Sequence, residues 1–313
     1  MARLAPLVVR LLRVVLLVFA ALAVTFVAAY VLTLILPEAR ALIERRFIFF
    51  PDKELAGTPA YWGLSFEEVH FSASDGVKLH GWFVPGDKDK NVTWIWFHGN
   101  AGNVSHRLEN LALLHSHLGV NIFLFDYRGY GRSEGQVSEK GTYQDARGAL
   151  DYVLSRQDIN PQKIVYYGRS LGAAVAVWLA TEPKVGVREE GGKGWSTTHQ
   201  PYGLILETPF TSVKEMAKLA FPYLPLYLLV RSKYDSLSRI GKVSCPLLII
   251  HGDKDEIVPI SQARKIYDAA SGPKSFYTVH GAGHNDTYIV GQEPYFRALA
   301  DFTSSLNSTG NQD

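Results

Sequence analysis

The sequence predicts an α/β protein: a mostly parallel central sheet with helices on both faces, preceded by one transmembrane helix. Three observations predict it. From about residue 92 onward, short apolar runs alternate with helix-like stretches, as repeated βα units require. Between residues 164 and 180 an apolar run, a sharp turn and an alanine- and valine-rich helix follow each other directly, around Gly168-Arg169-Ser170-Leu171-Gly172. Near the amino terminus, residues 14–36 carry no charge and are almost all apolar. That stretch exceeds the roughly 20 residues that cross a bilayer as a helix.

Taken in order, residues 1–13 form a basic tail with Arg3, Arg10 and Arg13, and 14–36 a transmembrane signal anchor closed by Pro37 and Glu38. A cleaved signal peptide is the alternative, with Ala21 and Ala23 as small residues for a cleavage site. Its apolar core would be too long, since such cores run about 7–15 residues. Residues 37–60 read as a juxtamembrane linker, with a short basic helix over 38–50. There Phe47-Ile48-Phe49-Phe50-Pro51 either sits at the membrane interface or packs on the body. The catalytic domain is expected over 61–306. It opens with a hairpin, 67–72 and 77–84, across Asp75-Gly76. Strands follow at 92–97, 121–126, 164–167, 203–207, 246–250 and 275–279. Helices are expected at 104–118, at 143–154 and after Gly172. Residues 208–242, dense in apolar side chains and broken by two prolines, read as a short cap, or else as a core helix interrupted by those prolines. The polar, glycine-rich stretch 184–200 reads as a surface loop, and 307–313 as a flexible tail.

The turn at Ser170 carries the chemistry. A serine between a strand and a helix is held in a strained conformation with its hydroxyl above the sheet, and its neighbours must be small because strand and helix nearly touch. An acid and then a histidine should follow on loops after later strands, which is the chain order of α/β-hydrolases. Strand 246–250 ends in His251-Gly252-Asp253-Lys254-Asp255-Glu256, and strand 275–279 in His280-Gly281-Ala282-Gly283-His284. The expected triad is Ser170, Asp255 and His284: nucleophile, orienting acid and general base. Asp253 reads as a turn residue, and Glu207 at the end of 203–207 is the competing acid or a prop for the turn after it. His280 reads as structural, while glycines around His284 leave its ring free to approach. Oxyanion donors are expected from the N–H groups of Leu171 and Asn100, with Ala101 as second choice, on the turn His98-Gly99-Asn100-Ala101-Gly102-Asn103. His98 precedes the serine and reads as a brace for that turn. Asp126 and Arg128 read as loop braces too. Ala101 and, from the cap, Phe210, Leu219 and Tyr223 are the expected substrate-binding residues.

With these motifs together the chain resembles one family. Phe97-His98-Gly99-Asn100-Ala101-Gly102-Asn103, Asp126-Tyr127-Arg128-Gly129-Tyr130-Gly131-Arg132-Ser133-Glu134-Gly135, Gly168-Arg169-Ser170-Leu171-Gly172 and Gly283-His284-Asn285-Asp286 are similar to those of the membrane-anchored α/β-hydrolase-domain serine hydrolases. That group holds the bud-emergence-related hydrolases and α/β-hydrolase domain-containing protein 13. The depalmitoylase numbered 17 in that series is more distant. The resemblance covers about residues 47–302 and implies the same triad. It says little about substrate. Stretch 184–200 departs from it as an insertion.

Composition fits a globular enzyme on an anchor: 47% of the 313 residues are hydrophobic and 20% charged. A net charge of +2 offers no electrostatic case for nucleic acid. The single cysteine, Cys245, allows no intrachain disulfide, and no metal-ligand spacing appears. His115 and His117, two apart on a helix, do not share a face. Neither metal nor organic cofactor is expected, and a monomer is. Basic residues before the anchor favour a cytosolic amino terminus and a lumenal or extracytoplasmic catalytic domain, with an endomembrane location. Four sequons, at Asn91, Asn103, Asn285 and Asn307, fit that side. The expected activity is cleavage of carboxylic esters or thioesters, in lipids or S-acylated proteins, through an acyl-enzyme. A serine peptidase on the same triad, a silent hydrolase fold that binds membranes, and a scaffold acting through the basic juxtamembrane segment are the alternatives.

Overall fold

In the computed structural model, which describes residues 5–36, 38, 42, 46–87, 91–182, 199–223, 226–228 and 230–309, the apolar runs resolve into one eight-stranded sheet. The expected loop at 184–200 lies almost wholly outside the described residues, as does the end of the tail. The strands are β1 (Phe50–Pro51), β2 (Glu67–Ser72), β3 (Lys78–Val84), β4 (Thr93–Phe97), β5 (Ala101–Gly102), β6 (Asn121–Phe125), β7 (Ile164–Arg169), β8 (Gly203–Glu207), β9 (Leu247–Gly252) and β10 (Lys274–Val279). The large sheet runs β10-β9-β8-β7-β4-β6-β3-β2. Only β2 and β3, the hairpin, run antiparallel to their neighbours. The helices are α1 (Ala5–Ile35), α2 (Leu108–Leu118), α3 (Glu139–Ser155), α4 (Leu171–Ala180), α5 (Val213–Ala220), α6 (Leu237–Ile240), α7 (Ile260–Ala269) and α8 (Thr287–Thr309), the last broken at Gln292.

Side chains alternate across a strand, so a sheet covered on both faces is apolar at every position. Strand β4 shows it. Trp94 and Trp96 enter one core with Trp82, Tyr167, Ile205 and Leu299. Ile95 and Phe97 enter the other with Phe123, Phe125, Tyr166 and Val175. The parallel strands all end on one edge of the sheet, and the glycine-rich and acidic loops emerge there. That edge is where open α/β sheets bind ligands.

Two boundaries differ from expectation. Helix α1 starts at Ala5, because Arg10 and Arg13 are good helix formers and do not stop it. Its stretch Val8–Leu32 is long and apolar enough to cross a membrane, and none of its residues is buried. Helix α3 starts at Glu139, since Ser138 caps it by accepting the Gly141 N–H at 3.1 Å.

The juxtamembrane segment takes the second of its two expected courses. Ile48 and Phe49 are buried in the core, with the Phe49 ring edge-on to Tyr234 at 6.2 Å. Strand β1 pairs in parallel with β5: the Phe50 N–H donates to the Asn100 carbonyl at 2.9 Å, and the Asp52 N–H to the Gly102 carbonyl at 3.1 Å. The body thus includes residues 48–52, which composition alone assigns to a linker.

Candidate active site

Strand β7 and helix α4 meet at Ser170 with no room for side chains on either flank. A Cβ on Gly172 would lie 1.9 Å from the Phe97 carbonyl oxygen, and one on Gly168 2.5 Å from the Gly172 oxygen. Ser170 itself has φ 53° and ψ −115°, a conformation that costs a non-glycine residue on the order of 1–3 kcal/mol. Its N–H donates to the Glu207 carbonyl at 2.9 Å, which ties the turn to β8.

The expected residues converge here. His284 Nε2 lies 3.0 Å from Ser170 Oγ, and His284 Nδ1 lies 2.7 Å from Asp255 Oδ2. Asp255 Oδ1 accepts the N–H groups of Ile257 and Val258 at 2.9 and 2.7 Å, which fixes the carboxylate and turns Oδ2 to the imidazole. Burial pushes the Asp255 carboxyl up, but hydrogen bonds from His251 and His284, the His284 charge and the Val258 N–H outweigh it. The net result is well below the usual carboxylate range. His251, fully buried, sits behind the acid: its Nε2 is 2.8 Å from the Val258 carbonyl and 3.2 Å from Asp255 Oδ2.

The rival residues are engaged elsewhere. Glu207 is buried and accepts hydroxyls from Tyr167, Thr287 and, at 3.2 Å, Tyr295. The Arg169 Nε lies 3.8 Å from Glu207, and Arg169 Nη2 donates to the His284 carbonyl at 2.8 Å. Glu207 therefore anchors the arginine that holds the histidine loop. His280 is exposed and pairs with Asp253, which also accepts the Gly281 N–H.

The turn after β4 is held from three sides. The Asn100 carbonyl accepts from Phe50 N–H and, at 2.8 Å, from the Tyr130 hydroxyl, while its side-chain amide donates to the Ile48 carbonyl at 2.8 Å. No bond to the Asn100 N–H exists among the described residues, and Leu171 opens α4, so its N–H has no carbonyl one turn behind. Ala101 sits beside them in the cavity wall. His98 is buried between Tyr127 and Tyr130, and its Nδ1 bonds the Gly99 carbonyl at 2.7 Å. Burial drives its pKa down to about 4, which keeps the ring neutral and suits a brace. Asp126 and Arg128 brace loops as well: Asp126 accepts the Val104 N–H, and Arg128 spans Asp75 and Asp145.

A cavity of about 850 Å³ opens over Ser170 and His284. Phe210, Val213, Met216, Ala217, Ala220 and Phe221 form its cap side, and Phe47, Ile48 and Phe50 another wall. Two expected substrate contacts are not in that lining. Leu219 is 48% exposed and Tyr223 96% exposed, and both face outward. For Leu219 the reason is helical period: Val213, Met216, Ala217 and Ala220 share one face of α5 and Leu219 lies off it, while Tyr223 lies beyond the end of α5. That spacing is readable in the sequence once α5 is known to be a helix. Among the described residues no group of three or more acidic, histidine or cysteine side chains could hold a metal.

This arrangement can support nucleophilic catalysis on an acyl group. Known proteins resemble the chain in sequence and fold. Residues 106–302 match the prolyl oligopeptidase family. The α/β hydrolase domain-containing protein WAV2 of Arabidopsis thaliana is 34% identical, over 78% of this chain and 80% of its own. The protein bem46 of Schizosaccharomyces pombe is 33% identical, over 90% of both chains. A solved esterase from Pyrococcus furiosus, Pf2001, shares the fold with a TM-score of 0.65 at 20% identity, covering 83% of this chain and 98% of that one. The chain belongs to the α/β hydrolases, matching the prolyl oligopeptidase family and related to WAV2 and bem46.

Proposed function

We propose that this protein is a membrane-anchored serine hydrolase that cleaves carboxylic esters or thioesters with apolar acyl chains, in lipids or S-acylated proteins. One observation carries the reading: the Ser170–His284–Asp255 line ends at the floor of a large, mostly apolar cavity. His284 Nε2 takes the Ser170 proton as Oγ attacks the acyl carbonyl carbon. The N–H groups of Leu171 and Asn100 hold the resulting oxyanion. Collapse expels the alcohol or thiol, which receives that proton from His284 and leaves an acyl-serine. Water, deprotonated by His284, then releases the carboxylic acid and restores Ser170.

Membrane supply of the substrate fits the cavity rim. Phe47, Phe50, Phe221 and Ile257 line the cavity and are all exposed. Only about a dozen residues connect α1 to Phe47, a reach of at most about 40 Å even fully extended. With α1 in a bilayer, the cavity lies close to its surface. The orientation that goes with this reading has a cytosolic amino terminus and an extracytoplasmic body, on an endomembrane. The family match favours a second reading, a serine peptidase. Apolar walls without a charged residue on the cap side support the acyl reading over it.

Labelling of the full-length protein with a fluorophosphonate tests the assignment. Wild type should label, Ser170→Ala should not, and His284→Ala should label at least about 100-fold more slowly, the usual scale for losing a general base. An ester series of increasing acyl length should show rising kcat/KM. Faster turnover of acetate, or of a peptide amide, would remove the long-chain reading. No labelling of folded wild type would leave a binding protein.

A further inference from the structure

Arg107 differs from the cavity-side and buried arginines that face carboxylates. Arg128 faces Asp75 and Asp145, Arg156 faces Glu67 and Asp158, Arg147 faces Glu182, and Arg169 faces Glu207. Among the described residues, no carboxylate lies within 4 Å of Arg107. Its one hydrogen bond there runs from Nη2 to the Ala101 carbonyl at 2.5 Å, and its Nε is buried with no partner. This guanidinium lines the catalytic cavity with Ser170, Asn100, Ala101 and His284. The side chain is half-buried with its Nε shielded and no counter-ion in reach among the described residues, and a fork of N–H donors matches a phosphate or carboxylate. Burial first, and then the nearby charge of Arg169, lower its pKa to about 10, so it stays a cation at neutral pH.

We propose that Arg107 binds an anionic group on the substrate, so that the cavity selects acyl esters or thioesters carrying a phosphate or carboxylate near the scissile bond. The acyl chain lies against the Phe210, Met216 and Phe221 side, and the anionic end of the leaving group turns to Arg107. This rests on reading the cavity as an acyl-ester site. A brace for the oxyanion turn, through the Ala101 carbonyl, is the competing role, and it makes no distinction between charged and uncharged ligands.

Ether-linked probes, which no esterase cleaves, separate the two. Full-length protein in neutral detergent is titrated by calorimetry with a hexadecyl glycerol ether, its phosphate, and a matched ether ending in a carboxylate. At least one anionic probe should bind about tenfold or more tighter than the uncharged one, in keeping with charge-assisted hydrogen bonds. Which of the two it is names the group. In Arg107→Gln that preference should fall below about twofold with the uncharged probe unaffected, and Arg107→Lys should keep part of it. Equal binding of all probes by wild type, a preference that survives Arg107→Gln, equal weakening of every probe, or no binding at all would overturn the proposal. Failure of the hydrolase reading shows differently: the ether preference persists while the corresponding esters are not turned over.

Discussion

Asp255 and Glu207 are both acids at the catalytic edge, and what separates them is who already occupies their oxygens. Glu207 is saturated by Tyr167, Thr287, Tyr295 and the nearby Arg169. Asp255 gives one oxygen to two backbone N–H groups and turns the other to His284, with His251 behind it. Asp255→Asn should therefore leave the fold intact and lower kcat by roughly 10³- to 10⁴-fold, by favouring the wrong imidazole tautomer. Glu207→Gln should keep turnover within about tenfold while lowering stability by about 1–3 kcal/mol, the scale of a disturbed buried network. Steady-state rates and denaturant melts of the two variants check this; a larger rate loss in Glu207→Gln would reverse the assignment. The serine and histidine were legible because glycines crowd them and chain order fixes their sequence. Spacing alone left the acid open between two strand ends. Its resolution needs Thr287 and Tyr295, which the chain supplies some 80 residues beyond Glu207. Arg107 and Arg169 carried no local signal, since an arginine's role depends on whether a carboxylate faces it.

At the scale of elements, the strap before the body matters most. Strand β1 adds backbone bonds to the turn proposed to hold the oxyanion, and the Asn100 amide reaches back to Ile48. Phe49 adds a fully buried ring, worth about 1.5–3 kcal/mol. A chain beginning at residue 46 should label with fluorophosphonate at the full-length rate. One beginning at residue 61 should label at least about tenfold more slowly and melt lower, since oxyanion donors held off position lose about two orders of magnitude in the extreme. Equal labelling and melting of the two would remove the strap from the site. Sequence could not decide this course, because three aromatics within four residues suit a bilayer interface and a protein core equally. The sheet was legible for the opposite reason: buried parallel strands have no polar face, and Pro246, Asp75-Gly76 and the glycine-rich turns mark where each begins or ends. The start of α3 was missed for want of weighing Ser138 as a cap, and the inner face of α5 for want of its helical register.

For the whole molecule, the proposed tether through α1 would make orientation a functional matter, because it would decide which leaflet the cavity can reach. Arg10 and Arg13 lie inside α1 near its start, where long side chains can extend toward the headgroups of the amino-terminal side. The body's own sequons sort by position. Asn103 is buried and bonded to the backbone of the strap, which leaves no room for a glycan on the folded chain, and a glycan on Asn285, exposed at the cavity edge, would obstruct the cavity. Asn91 and Asn307 are exposed. The proposed orientation predicts that, in sealed membrane vesicles with the cytosolic face outward, added protease leaves the body intact until detergent is supplied. It also predicts that any glycan gained in a host that glycosylates is lost on Asn91→Gln or Asn307→Gln. Digestion without detergent would put the body on the cytosolic side. The cavity would then draw on the acyl chains of the cytosolic leaflet and on S-acylated cytosolic proteins, whereas a protected body confines it to lipids and acylated proteins of the opposite face.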